Sequence, residues 1–173
     1  MFRTLYNFFM ADNYIFKIGA YAILLDEKRR VLLGKRAKGI EVGKWSLIGG
    51  KPEENETMEE AVVREIREEI SVDFKPFFYR IFRGVNKEKG VKWLSSYFIG
   101  YIRSDEIPDN YDKNELAELK FFSKEELADL EIAFDHKRVL KTFFKDYSLG
   151  LVSSVRDKTN KDQNDNRQSF KIK

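Results

Sequence analysis

Between Thr57 and Ile70 apolar residues recur at helical spacing, and the stripe of Met58, Ala61, Val62, Ile66 and Ile70 commits this segment to an α-helix lying on a core. Thr57, with Glu60 three residues on, forms a capping box that fixes where the helix starts. Its far end is costly. Glu65, Glu68 and Glu69 crowd the last turn, where negative charge opposes the helix macrodipole. Carboxylates at i, i+3 and i+4 also repel one another. At about 100° per residue, their mean direction lies roughly 60° from the centre of the apolar stripe. All three are therefore expected at the margin of the core, facing a cleft, while Glu60, Arg64 and Arg67 hold the opposite face and point elsewhere. A hard divalent cation would resolve the clash, because Mg2+ takes oxygen ligands. An acidic face turned to water is the competing explanation, and helical geometry alone leaves the two even.

Around this helix the sequence alternates strands with further helical stretches. Ile15–Asp26 and Arg29–Arg36 are rich in strand formers and joined by a charged turn, which predicts a hairpin. Lys75–Val85 and Val91–Ile102 predict a second pair, and Glu118–Phe122 a short strand. Helices are expected over Ser123–Leu130, with Ser123 and Glu126 repeating the capping device, and from Asp135 to about Tyr147, with Asp135 as N-cap. The interleaving points to an α/β class with a mixed β-sheet covered by helices.

The stretch from Gly50 to Val72 resembles the Nudix box, Gly-x5-Glu-x7-Arg-Glu-U-x-Glu-Glu-x-Gly-U, with U a bulky aliphatic residue. Gly50, Glu56, Arg64, Glu65, Ile66, Glu68, Glu69 and Val72 occupy its places, and Ser71 stands where the pattern has glycine. Gly43–Lys51 is similar to the usual approach to the box, with Ile48 where proline is common, and Asn114–Leu127 to a later segment of the family. The likeness spans roughly Lys17 to Tyr147. It implies a Nudix-type α/β/α sandwich with a mixed β-sheet and a loop–helix–loop metal site. It further implies hydrolysis of a pyrophosphate bond, with Glu65, Glu68 and Glu69 as ligands of Mg2+ (or Mn2+), aided by a backbone carbonyl near Gly49 or Gly50. By the same likeness Gly50, Glu56 and Arg64 support the site, Arg64 by orienting a carboxylate. Glu65 and Glu115 are the candidate general bases, with Glu118 behind them. Ser71 puts the geometry of the turn after the helix in question.

Composition sets the remaining bounds. The chain holds no cysteine, which removes disulfides and thiolate nucleophiles, and His136 is its one histidine, which removes a multi-histidine metal site. The net charge of +3 resides in the tail, since residues 1–151 balance. Nucleic acid is accordingly not the expected partner. No apolar run is long enough to span a membrane, and the aromatic opening, broken by Arg3, Asn7 and Asp12, lacks a secretory pattern. A cytoplasmic protein is expected, with residues 1–13 an N-terminal segment packing on the domain, 14–151 the hydrolase domain and 152–173 a disordered polar basic tail. Arg36 and Lys51, with Lys35, are candidate contacts to substrate phosphates. Trp93, Tyr97 and Phe78 are placed to stack on a base, although aromatics on strands mostly serve the core. The Gly49–Pro52 stretch is not a P-loop, and the calcium-loop imitation from Asp162 lacks its glycine and glutamate.

Three functions compete. The first is a Nudix pyrophosphohydrolase acting on a nucleoside diphosphate linked to another moiety. ADP-ribose or a related nucleoside diphosphate sugar is favoured, because the Ile132–Leu140 segment is similar to one in some ADP-ribose-handling members. The second is a housecleaning diphosphatase for (d)NTPs or oxidised purine nucleotides. The third is a non-catalytic ligand-sensing module, against which the intact box charges argue. Each takes a small-molecule nucleotide, and a homodimer remains open.

Overall fold

The computed structural model describes residues 15–86, 90–107 and 109–152. Expectations for residues 1–13, for the Asp162 stretch and for the tail beyond Val152 lie outside these. The chain divides at Phe134/Asp135 into two compact units.

The first unit is built on a seven-stranded mixed sheet. β1 (Ile15–Leu25), β2 (Val31–Arg36), β3 (Trp45–Ser46), β4 (Ile48–Gly50), β5 (Phe77–Asn86), β6 (Val91–Tyr101) and β7 (Leu116–Phe122) run in the order β3-β2-β1-β6-β5, with β4 on β1 and β7 on β2. The two expected antiparallel pairs form, β1 with β2 and β5 with β6. The longest register is a parallel one, β1 beside β6 from Ile15↔Val91 to Leu25↔Tyr101, and hairpin patterning could not reveal a pairing between strands so far apart. β7 starts at Leu116, two residues before its expected start, because Leu116 already pairs with Arg36.

Helix α1 (Met58–Ile70) follows β4, and its capping box is complete: the Glu60 amide donates to Thr57 Oγ1 at 3.2 Å and the Thr57 amide to Glu60 Oε2 at 2.9 Å. Ala61, Val62, Ile66 and Ile70 are buried against Ala20, Ala22, Leu24, Ile48 and Phe98 of the sheet. Small alanines on β1 let the helix approach closely, so its polar margin is held against β4. Beyond β7 the expected helix over Ser123–Leu130 reduces to one 3-10 turn, Glu126–Ala128. Ser123 and Glu126 do exchange their capping bonds, at 2.7 and 3.3 Å, but a turn this short has almost no ladder to extend.

In the second unit, helix α2 (His136–Ser148) buries Val139, Leu140, Phe143 and Phe144. Asp135 takes the N-cap position without a side-chain cap bond. Its carboxylate instead accepts from Arg138 at 2.7 Å, which corrects the expected capping role.

Two local devices are testable. α1 ends on Ser71 at φ 55°, ψ 34°, the left-handed cap that glycine adopts without strain. Ser71→Gly is expected to stabilise the fold by about 1 kcal/mol, read as a rise of a few degrees in thermal midpoint. At the β1–β2 turn, Glu27 accepts from the Ser104 hydroxyl at 2.6 Å and the Ser104 amide at 3.1 Å. The Ser104 hydroxyl, first among the causes, pulls the Glu27 carboxyl down to about 2 from its ordinary 4.5. A depressed carboxylate adds stability that is present above its unfolded value and lost as pH falls toward the folded one. The difference in thermal midpoint between wild type and Glu27→Gln should therefore hold steady from pH 7 to pH 5 and shrink between about 4.5 and 2.

Candidate active site

The Arg64 guanidinium joins the loop before α1 to the helix itself. Nε and Nη2 donate to the two Glu56 oxygens at 2.7 and 3.0 Å, a bidentate pair, and Nη2 also donates to the Lys51 carbonyl at 3.0 Å. Nη1 reaches Glu65 at 3.2 Å and Glu68 at 3.0 Å. Arg64 thus does not point away from the glutamates, as a count of helical angles suggests. A long side chain swings through a wide arc, and the nearest unbalanced charge attracts it. The Glu56 carboxyl is lowered first of all by this contact.

The three box glutamates differ. Glu65 and Glu69 are half-buried, one turn apart, beside β4, whereas Glu68 is exposed, its side chain 59% accessible, and held to the site by Arg64. The expected margin position therefore fits two of the three. Burial raises the Glu65 carboxyl; Arg64 opposes, and Glu68 and Glu115 add to the rise. Glu69 is pushed up to about 8, first by burial, then by Glu65 and Glu115. Asp112, which also raises Glu69, is tied there by its amide bonding the Glu69 carbonyl at 2.8 Å. Glu115, on the turn before β7, reaches the cluster from another element, and its carboxylate pairs with Lys38 at 2.6 Å. The structure thus brings Glu65, Glu69 and Glu115 together, and it leaves Glu118 on β7 facing Lys35 at 3.8 Å.

Two glycines admit this arrangement. Gly49 has φ 141°, and a Cβ there would run into the Ala20 carbonyl and Tyr21 backbone. At Gly50 a Cβ would occupy the place of the Glu65 carboxylate. Glu65 therefore lies against bare backbone, close to the carbonyls expected to help hold a cation.

Among the described residues no group of three or more acidic side chains stands ready to hold an ion. The contacts give the reason: Arg64 draws Glu65 and Glu68 to itself. The donor set still fits a hard divalent cation, being oxygen only, and a bound cation would offset the burial and the neighbouring carboxylates that raise Glu69.

Sequence reasoning missed Asp112, Tyr21 and Glu41. Asp112 carries no motif spacing and is placed by its amide bond to Glu69 and by accepting from the Asn114, Glu115 and Leu116 amides. Tyr21 packs on Tyr97 with ring centroids 5.6 Å apart, and burial raises its phenol, with Arg36 opposing and Glu65 and Glu69 adding. Strand alternation alone would have assigned it to a sheet face. Of the aromatics considered for base stacking, Tyr97 is buried, between Tyr21 and Phe82, while Phe78 is exposed. Arg36 lies near Glu69, whose carboxyl it partly lowers. Lys51 is exposed, and its carbonyl serves Arg64.

A mixed sheet carrying a glycine-bounded loop, an acidic helix and an arginine clamp defines the class, an α/β domain with a loop–helix–loop carboxylate cluster. The family model described as NUDIX domain matches residues 15–143, and the chain belongs to the Nudix family. It is 30% identical over 123 residues to the ADP-ribose pyrophosphatase of Methanocaldococcus jannaschii, covering 70% of each chain. It is 43% identical over 53 residues to the mouse oxidized purine nucleoside triphosphate hydrolase, covering 30% of this chain and 34% of that one. The crystal structure of a MutT protein from Methanosarcina mazei Go1 superposes with a TM-score of 0.64 at 26% identity, over 78% of this chain and 96% of that one. The Nudix-type α/β/α sandwich expected from the box is thereby the fold class. The chain spans about a quarter to a third of the length of the first curated relatives it matches.

The two glycines are separable by substitution. Gly50→Ala meets only the tip of a side chain, so the fold should survive while Mn2+ affinity, followed by paramagnetic resonance, falls about tenfold as Glu65 is displaced. Gly49→Ala meets backbone and should cost stability on the order of 3 kcal/mol, visible in denaturant unfolding.

Proposed function

We propose that this chain is a metal-dependent Nudix pyrophosphohydrolase that cleaves a nucleoside diphosphate linked to another moiety, with ADP-ribose or a related nucleoside diphosphate sugar as substrate. The observation that carries the activity is the carboxylate set of Glu56, Glu65 and Glu68 gathered by one guanidinium, with the half-buried Glu69 a turn further along the same helix. The substrate choice is supported by the ADP-ribose pyrophosphatase relative, which matches along most of both chains. The relatives named for oxidised purine nucleotides match over roughly a third of this chain or a half.

In this reading Glu65, Glu68 and Glu69 hold Mg2+ or Mn2+, which when bound would neutralise diphosphate charge and lower the pKa of a water. Glu56 and Arg64 orient the carboxylates, and Arg36 and Lys51 bind phosphate oxygens. A carboxylate, Glu65 or Glu115, takes the proton as a water oxygen bonds to phosphorus and the bridging P–O bond breaks, leaving two phosphomonoesters. The partner is a small nucleotide in the cytoplasm. Among the described residues no helix is long and apolar enough to cross a membrane.

The second reading, a (d)NTP or oxidised-purine diphosphatase, shares the box and differs in the pocket. The third, a non-catalytic ligand-sensing module, requires no hydrolysis. A panel of ADP-ribose, NADH, diadenosine polyphosphates, dNTPs and oxidised dGTP with Mg2+ or Mn2+ separates them. ADP-ribose should show the highest kcat/KM, and chelation should abolish turnover. Dominant hydrolysis of oxidised dGTP would move the assignment to the second reading, and tight binding without hydrolysis to the third. Glu68→Gln and Glu69→Gln should each lower kcat by about a hundredfold or more at unchanged far-UV dichroism; near-normal turnover in both would sink the metal assignment.

A further inference from the structure

Glu41 lies on the loop between β2 and β3, outside the box, and holds two segments together. Its Oε2 accepts from the Phe134 amide at 2.6 Å, and Oε1 pairs with Lys44 Nζ at 2.9 Å. Both ends of the first bond sit in backbone conformations that non-glycine residues avoid, Glu41 at φ 59° and Phe134 at φ 55°. Such strain persists only where surrounding contacts overdetermine it. Here the contacts are visible. Trp45 bonds the Glu131 carbonyl at 2.9 Å, and Ala133 bonds the Trp45 carbonyl at 2.8 Å, so residues 131–134 run beside β3.

What the clasp encloses is Arg36. Its guanidinium lies over the Phe134 ring, 4.9 Å from the centroid. Nε donates to the Ile40 carbonyl at 2.8 Å and Nη2 to the Lys38 carbonyl at 3.3 Å. The loop closes on the Arg36 backbone as well, through its amide to Lys44 and its carbonyl to Gly43, at 3.0 and 2.9 Å. Among the described residues Nη1 makes no hydrogen bond, and it is the end left to meet an anion. Arg36 is near enough to the carboxylate cluster to act on Glu69.

We infer that Glu41 is a positioning residue for phosphate binding: by clasping Phe134 to the β2–β3 loop it fixes the Arg36 guanidinium in the orientation that receives a substrate phosphate. The inference rests on the proposed role of Arg36 in binding, not on catalysis. A loop without the clasp keeps its arginine but lets it sample many orientations, and each phosphate contact then carries the entropy of ordering it.

The test is a double-mutant cycle in the full chain, read by calorimetric titration with inorganic pyrophosphate and Mg2+. Glu41→Gly removes the carboxylate yet suits the backbone angle, so it spares the fold; Glu41→Gln keeps an acceptor for the Phe134 amide. Arg36→Ala and Glu41→Gly should each weaken binding about tenfold. The double variant should bind no more weakly than Arg36→Ala, and Glu41→Gln should recover most of the affinity. Amide exchange at Phe134 should speed up in Glu41→Gly. Losses that multiply in the double variant, wild-type affinity in Glu41→Gly, or wild-type binding absent or indifferent to Arg36→Ala would each overturn the inference. Arg36-dependent pyrophosphate binding by a protein that hydrolyses no diphosphate, with the cycle coupled as expected, would support it and end the catalytic reading.

Discussion

The Arg64 guanidinium is the contact on which the organisation of the site depends. It satisfies Glu56 with two bonds, the Lys51 carbonyl with another, and still reaches Glu65 and Glu68. One cation therefore donates to three carboxylates, with a fourth, Glu53, at 3.9 Å and Glu69 a turn further on. Removing it would release the loop from the helix and leave its neighbours repelling one another. Lysine would not replace it, because an ammonium lacks the planar fork that grips Glu56 through both oxygens while serving three other acceptors. The same contact explains why the glutamates are not already arranged around a point: a cation is present, but it belongs to the protein and stands to one side.

The sheet makes that asymmetry tolerable. Ala20 and Ala22 of β1 bring α1 down until Ile66 is fully buried, and Ile66 lies between Glu65 and the pair Glu68–Glu69 in sequence. The helix cannot rotate to carry its acids into water without withdrawing Ile66 and Ile70 from the core, a change worth several kcal/mol of burial. Packing thus overrides electrostatics at the helix end. Gly49 and Gly50 complete the arrangement from the other side, by letting backbone stand where a side chain would push Glu65 away.

Helix α1, its capping box and the two hairpin pairs were legible in the sequence because each rests on local periodicity. The parallel partnership of β1 with β6 was not, since nothing within either strand encodes its neighbour. Ser123–Leu130 misled for a related reason: its capping residues do form their bonds, but a cap specifies where a helix begins and not how far it runs. In the acidic cluster, helical spacing singled out Glu65, Glu68 and Glu69, and the resemblance to the Nudix box added Glu56 and Arg64. Asp112 and Glu41 did not, because each is recruited by backbone bonds to a distant segment, Asp112 to the end of α1 and Glu41 to Phe134.

Departures from local preference in this molecule are concentrated rather than scattered. Glutamates stand at the wrong end of a helix dipole, Ser71 turns left-handed directly after them, and Gly49 supplies a backbone angle few residues share. On the β2–β3 loop and beyond the 3-10 turn, Glu41 and Phe134 are both left-handed, and one hydrogen bond joins them. The β1–β2 turn shows that strain need not mark a site: Arg29 is left-handed too, but buried Asp26 accounts for it by closing the turn onto the Lys28 and Arg30 amides. Ser71 too is accounted for locally, ending α1 with its amide on the Arg67 carbonyl, whereas Glu41 and Phe134 are joined by a bond between segments distant in sequence. Glu41 in particular could be replaced by glycine without cost to the backbone, so its retention in a disfavoured conformation has to be weighed against what its carboxylate does. The two groups it clasps are the Phe134 amide and the Lys44 ammonium, and the Arg36 guanidinium lies over the Phe134 ring with its Nη1 outside the loop's hydrogen bonds. In the proposed reading, the crowded helix end supplies the carboxylates and the strained loop holds the cation that would meet a substrate's opposite charge.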